Sequence, residues 1–118
     1  MQNIDTSVVL DKQQLREITL DDDDLMREIL AALIDDTSQQ ISLLECAIQA
    51  GDADRCIRLA HYSKGACANI GAVTAAGLLK QIEVRAAARE FHECSEALAA
   101  LAQQVSHLRE EAKTLPCR

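Results

Sequence analysis

From Leu25 onward the apolar positions follow a helical period. Leu25, Ile29, Leu33, Ile34, Ile41, Leu44 and Ile48 recur, apart from the adjacent Leu33 and Ile34, in steps of three, four or their sum as far as Gly51, with no Pro or Gly between them. This spacing predicts one long amphipathic helix over about 21–50. Asp21 to Asp24 stand at its start, where unpaired N–H groups and the positive end of the helix dipole favour carboxylates. The cluster reads as a solvated helix start rather than a cation site, because no EF-hand pattern with its Gly and closing Glu follows.

Asp52 is placed to cap a second long helix over about 52–69, whose Cys56, Leu59, Ser63, Ala66 and Ile70 share one inward face. Asn69 and Gly71 tolerate left-handed backbone, so a tight reversal falls there. A third helix over about 72–89 turns Val73, Ala76, Leu79, Ile82 and Ala86 to one side, slightly weakened by Gly77. In the last, over about 93–115, Cys94, Leu98, Leu101, Val105, Leu108, Ala112 and Leu115 form an unbroken bundle seam. Upstream, Asp11 and Gln14 have capping-box spacing, with the carboxylate accepting a free N–H and the amide reaching back. They predict a short helix over about 12–18, anchored by Leu15 and Ile18. Four long helices on short links bury their stripes only side by side. The expected fold is therefore all-α, an up-down antiparallel four-helix bundle with a short extra N-terminal helix, in a single domain over 1–118.

Composition agrees and narrows the function. A chain of 118 residues with one Pro and two aromatics, Tyr62 and Phe91, has too few β-formers and turn residues for an all-β domain. No apolar run approaches the roughly 20 residues of a membrane span. Residues 1–6 show no basic stretch leading into an apolar one, which argues against a secretory leader and for the cytoplasm. Five cysteines, Cys46, Cys56, Cys67, Cys94 and Cys117, are scattered without CxxC spacing and read as reduced thiols rather than zinc ligands. The net charge of −7 disfavours nucleic acid and anionic membranes as partners. Yet residues 52–89 hold six cations against three anions, a local +3 that leaves −10 for the rest and suits an acidic partner.

One face of the second long helix is not core. Opposite its apolar stripe lie Asp54, Ile57, Arg58, His61, Lys64, Gly65 and Ala68, with His61 near the centre. Lys64 and Gly65 are the i+3 and i+4 neighbours of His61, so an imidazole, an ammonium and bare backbone meet on the exposed side. Helical side chains lean toward the N-terminus, so a Cβ at position 65 would overhang the ring. A Gly in a helix interior costs about 1 kcal/mol relative to Ala. Either the close approach of another molecule or close packing of a neighbouring helix would account for it. His92 and His107 fall outside this constellation and read as surface residues.

His61-Tyr62-Ser63-Lys64-Gly65, then Ala68-Asn69-Ile70-Gly71-Ala72, and later Leu79 with Ile82-Glu83, resemble the signature of histidine-containing phosphotransfer (HPt) domains of two-component phosphorelays. The likeness extends from about Leu15 to Leu115. Ser63, where the family often has a bulky aliphatic, and Leu33, near a frequent Phe, depart from the pattern without touching the chemistry. The resemblance implies that His61 accepts a phosphoryl group through Nε2 from an aspartyl phosphate of a response-regulator receiver domain and passes it to another receiver. It implies Lys64 as phosphate stabiliser, Gly65 as the opening for access, and Ile57, Arg58 and Ala68 as docking positions. Arg58, Lys80 and Arg85 are weaker candidates for phosphate contact. Imidazole suits the task because its neutral form is present near pH 7 and is nucleophilic. With no P-loop or kinase Gly-rich loop in the chain, the family pattern is a carrier rather than a kinase, without a cofactor of its own, the Mg²⁺ sitting on the receiver. It also implies a monomer whose partners are receivers or a sensor histidine kinase. The alternatives are a phosphoacceptor module served in trans by a chemotaxis-type histidine kinase, and a bundle that docks receivers without carrying phosphate.

Overall fold

The structure, a computed structural model, describes residues 8–115. Five helices account for most of them: α1 (Lys12–Ile18), α2 (Asp23–Gln49), α3 (Ala53–Ile70), α4 (Val73–Ala87) and α5 (Phe91–Lys113). Among the described residues there is no strand. The long helices pack α2 on α3, α3 on α4, α4 on α5 and α5 back on α2, which closes an antiparallel four-helix bundle, while α1 lies over one end against α3. No helix among these residues is long and apolar enough to cross a membrane. The leader reading at residues 1–6 and the thiol of Cys117 fall outside the described residues.

Each helix start follows from local chemistry. The carboxylates of Asp11, Asp22 and Asp52 accept from the backbone N–H groups of Gln14, Leu25 and Arg55 at 3.1, 3.0 and 3.1 Å, each satisfying a donor the helix itself cannot. Of the four aspartates, Asp22 thus serves as the cap of α2, and Asp23 and Asp24 lie in its first turn. Gln14 departs from the expected box. Its amide does not reach back to Asp11 but donates to the carbonyls of Ala68 and Asn69 at 2.7 and 3.0 Å. Those carbonyls belong to the last turn of α3, where helical partners run out, and α1 is seated over them.

The reversal between α3 and α4 centres on Gly71, at φ 97°. The N–H groups of Gly71 and Ala72 both fold back onto the Cys67 carbonyl, at 3.1 and 2.9 Å. The Gly71 carbonyl in turn accepts from the Asp11 N–H at 2.7 Å. A Cβ at this position would lie 2.8 Å from the Asp11 carbonyl oxygen, so both the dihedral and the crowding call for glycine.

Leu30, Leu44, Leu79, Ile82, Leu101, Leu108 and Val105 fill the core with Leu15 at its end. The α5 seam is buried as its period predicts, from Cys94 to Leu108 and on to Leu115, with Ala112 half-buried. Elsewhere the stripes are rotated or broadened. Met26 and Leu30 turn inward while Leu25 is exposed, and Thr74, Ala75 and Leu78 are buried while Val73 is exposed. The reason is that each long helix touches two neighbours and buries a face wider than a single row of residues. Ile18 is also exposed, and Thr19 takes the inward position beside Leu15, its hydroxyl bonded to the Leu15 carbonyl at 2.8 Å. Cys56, Cys67 and Cys94 are buried free thiols, whereas Cys46 is exposed. Burial pushes Cys67 and Cys94 each up to about 11, which keeps them protonated and unreactive.

Ser63 is buried with its Oγ unpaired. Ser63→Ala should therefore stabilise the protein by about 1 kcal/mol in urea unfolding, because it removes a desolvated hydroxyl at no cost in bonds. Gly71→Ala should destabilise it by about 2 kcal/mol or more, and by more than Gly51→Ala, since Gly51 also has positive φ but open space around it.

Candidate functional site

His61 stands midway along α3 with its side chain 71% exposed. Three residues on, Lys64 projects from the same side of the helix, and across the groove α4 supplies Glu83. One carboxylate serves both neighbours. Oε1 of Glu83 lies 2.6 Å from Lys64 Nζ, and Oε2 lies 3.4 Å from His61 Nδ1. The antiparallel register set at Gly71 brings these positions opposite one another. The buried face of α3, made of Ala53, Cys56, Ala60, Ser63 and Cys67, is built from small side chains. Helix axes approach closely over small residues, which brings the α4 carboxylate within reach of α3.

The Glu83 carboxylate is mostly enclosed. Partial burial pushes its pKa up, but the close contact and charge of Lys64, and then of His61, outweigh that and hold it below the usual carboxylate range. It is therefore ionised at neutral pH and can only accept hydrogen bonds. Facing it, Nδ1 of His61 is the nitrogen that carries the proton, by assignment from the surrounding network. The contact is longer than a well-formed hydrogen bond and acts mainly by orientation and charge. Nε2 is then the nitrogen on the other edge of this largely exposed ring.

Gly65 is exposed, and a Cβ built on it would meet nothing within 4 Å. Close packing of a neighbouring helix therefore does not explain this glycine. Nor would that Cβ touch the His61 ring, contrary to the overhang that the lean of helical side chains predicts; the position is open.

Around this centre, Arg58 and Ala68 are exposed, while Ile57 is half-buried and packs partly on the core. Arg58 also joins Arg55, Leu59, Tyr62 and Gln40 in lining a shallow groove toward α2. Lys80 is exposed on α4, one turn before Glu83. Arg85 is held by Glu90 at 3.0 Å and lies apart from the His61 cluster in its pairing. His92 faces Glu96 at 3.5 Å, and His107 lies 3.5 Å from the Gln104 amide, both on α5. Among the described residues no group of His, Cys, Asp and Glu could hold a metal ion.

Sequence reasoning placed His61, Lys64 and Gly65 together, but gave Glu83 no role and left the partner of the imidazole unnamed. The available signal was the hairpin register: once Gly71 is the reversal, Glu83 is the acidic residue of α4 that falls across from His61.

The lowered pKa of Glu83 has a definite sign. Its ion pair contributes to stability above the ordinary carboxylate range, and that contribution disappears as pH falls through the folded-state value. The stability difference between the native protein and Glu83→Gln should therefore be largest near neutral pH and shrink in acid. Carboxyl ¹³C titration should place Glu83 below the reference Glu value.

The chain matches the family model described as Hpt domain over residues 28–111. Among solved structures it is similar to histidine-containing phosphotransfer protein B from Pseudomonas aeruginosa, with a TM-score of 0.81 and 28% identity over 89% of this chain and 91% of that one. It shares its fold with a putative histidine-containing phosphotransfer protein from rice, with a TM-score of 0.79 and 20% identity over 90% of this chain and 78% of that one. Comparison with curated proteins gave no match. Since the family match spans most of its length and the bundle agrees, the chain belongs to the Hpt domain family.

Proposed function

We propose that this protein is a phosphorelay intermediate in which His61 takes a phosphoryl group from an aspartyl phosphate of a receiver domain and gives it to another receiver. The observation that carries this reading is the largely exposed ring of His61, with Nδ1 facing a carboxylate and Nε2 on its other edge, one helical turn from the open position at Gly65. The Nε2 lone pair attacks phosphorus in line. The N–P bond forms as the P–O bond to the aspartyl group breaks, and that electron pair leaves with the carboxylate. The Nδ1 proton stays on the ring, where Glu83 balances the positive charge it acquires. The return step is the same path reversed onto a second receiver.

Such a transfer asks mainly for positioning and for cations near the equatorial oxygens. Lys64 supplies one, and the receiver's own Mg²⁺ completes the set. A unit charge pair at about 4 Å is worth roughly 1 kcal/mol in water and roughly 4 at intermediate dielectric, so Lys64 tunes the transfer and His61 is required for it. The locally cationic α3–α4 segment suits an acidic receiver pocket, with Arg58 and Ala68 presented to it and Ile57 at its edge.

The test is incubation with phosphorylated receiver domains. The native protein should acquire an acid-labile, base-stable phosphate, and His61→Gln should acquire none; equal labelling of that variant would refute the proposal. Gly65→Gln should slow transfer at least about tenfold by crowding the approach, while leaving stability unchanged or raising it by up to about 1 kcal/mol, since it replaces an exposed helical Gly. Stopped-flow transfer and thermal unfolding on the same preparations separate the two effects.

A further inference from the structure

The cation meant for the phosphate is already engaged. Lys64 Nζ lies 2.6 Å from Glu83 Oε1, so any contact it makes with a phosphoryl group begins from an existing ion pair. We infer that Lys64 is an exchangeable cation, held by Glu83 in the resting site and transferred to the phosphoryl oxygens when His61 is charged; this rests on His61 being the phosphoacceptor. Glu83 is then a positioning residue that acts through Lys64 as well as through the imidazole.

The geometry favours a swap over a static bridge. Glu83 faces the Nδ1 edge of the ring, whereas the phosphoryl group arrives on Nε2, at the far edge. Lys64 sits one helical turn from His61 on a flexible four-carbon stem, and its ammonium is a compact point charge that can be redirected without moving either helix. A phosphoryl group offers it three oxygens and more charge than a carboxylate does. Glu83, confined by the α3–α4 groove, cannot follow. It keeps its place opposite Nδ1, where the ring becomes positive on phosphorylation.

An energetic consequence follows. The stabilisation that Lys64 gives to phosphohistidine is the new contact less the ion pair surrendered. Glu83 thus keeps the phosphorylated state from becoming too stable, as a carrier that must give its cargo away requires. A lysine with no such competitor would hold the phosphate more firmly and slow its departure.

A double-mutant cycle tests this with phosphoramidate as donor. The Nε2–P bond forms as the P–N bond breaks and ammonia leaves with its electron pair, so with excess ammonium the exchange is reversible, and ³¹P NMR gives its equilibrium constant. The constant is measured for the native protein, Lys64→Ala, Glu83→Gln and the double variant. Lys64→Ala should lower it about fivefold more in the Glu83→Gln background than in the native one, a coupling typical of contacting charges. Equal losses in the two backgrounds, or a larger loss in the native one, would overturn the exchange. A purely structural Glu83 would not couple to Lys64 in this constant, and circular dichroism confirms that all four proteins are helical. The relay reading fails separately. Charging by phosphoramidate without any transfer to or from a receiver would sink that reading, whereas normal relay with no coupling would sink the exchange alone.

Discussion

The site depends on how α3 reverses into α4. A helix hairpin fixes which residues meet across its seam, and here the seam is set by one left-handed glycine whose neighbours close on the Cys67 carbonyl. Small residues on the buried face of α3 let the helices come near enough for a carboxylate of α4 to reach both His61 and Lys64. Shifting that register by one residue would rotate Glu83 away from the groove and leave the imidazole without its acceptor. The chemistry of an exposed side chain is in this sense decided within the packed interior.

The division of labour along α3 follows from the same packing. Its inward face is small and uncharged, and its outward face holds the imidazole, the ammonium and the bare backbone of Gly65. Of these, Gly65 is the feature that the bundle itself does not need. It weakens the helix without relieving any internal contact, so the packing of the fold does not account for it.

Much of this was legible in the sequence. The helix count, the Asp caps, the Gly71 reversal and the α5 seam follow from period and terminus chemistry acting over a few residues. The phase of the α2 and α4 stripes was read less well. Leu25 and Val73 look like core positions by spacing, but a helix with two neighbours widens its buried face toward Met26, Leu30, Ala75 and Leu78. Gln14 was misread because a local bond to Asp11 and a distant one to the end of α3 are equally consistent with its chemistry, and only the placement of α1 decides. Glu83 escaped for the same reason: its role exists only across the helix pair. Local chemistry shows in a single sequence, while pairings between distant segments have to be seen in three dimensions.

The hydrogen bonds that tie α1 and its cap to the end of α3 run to main-chain oxygens, those of Ala68, Asn69 and Gly71. A clasp of that kind is indifferent to the side chains at 68 and 69. Substitution at those two exposed positions would therefore leave the anchoring of this helix end intact.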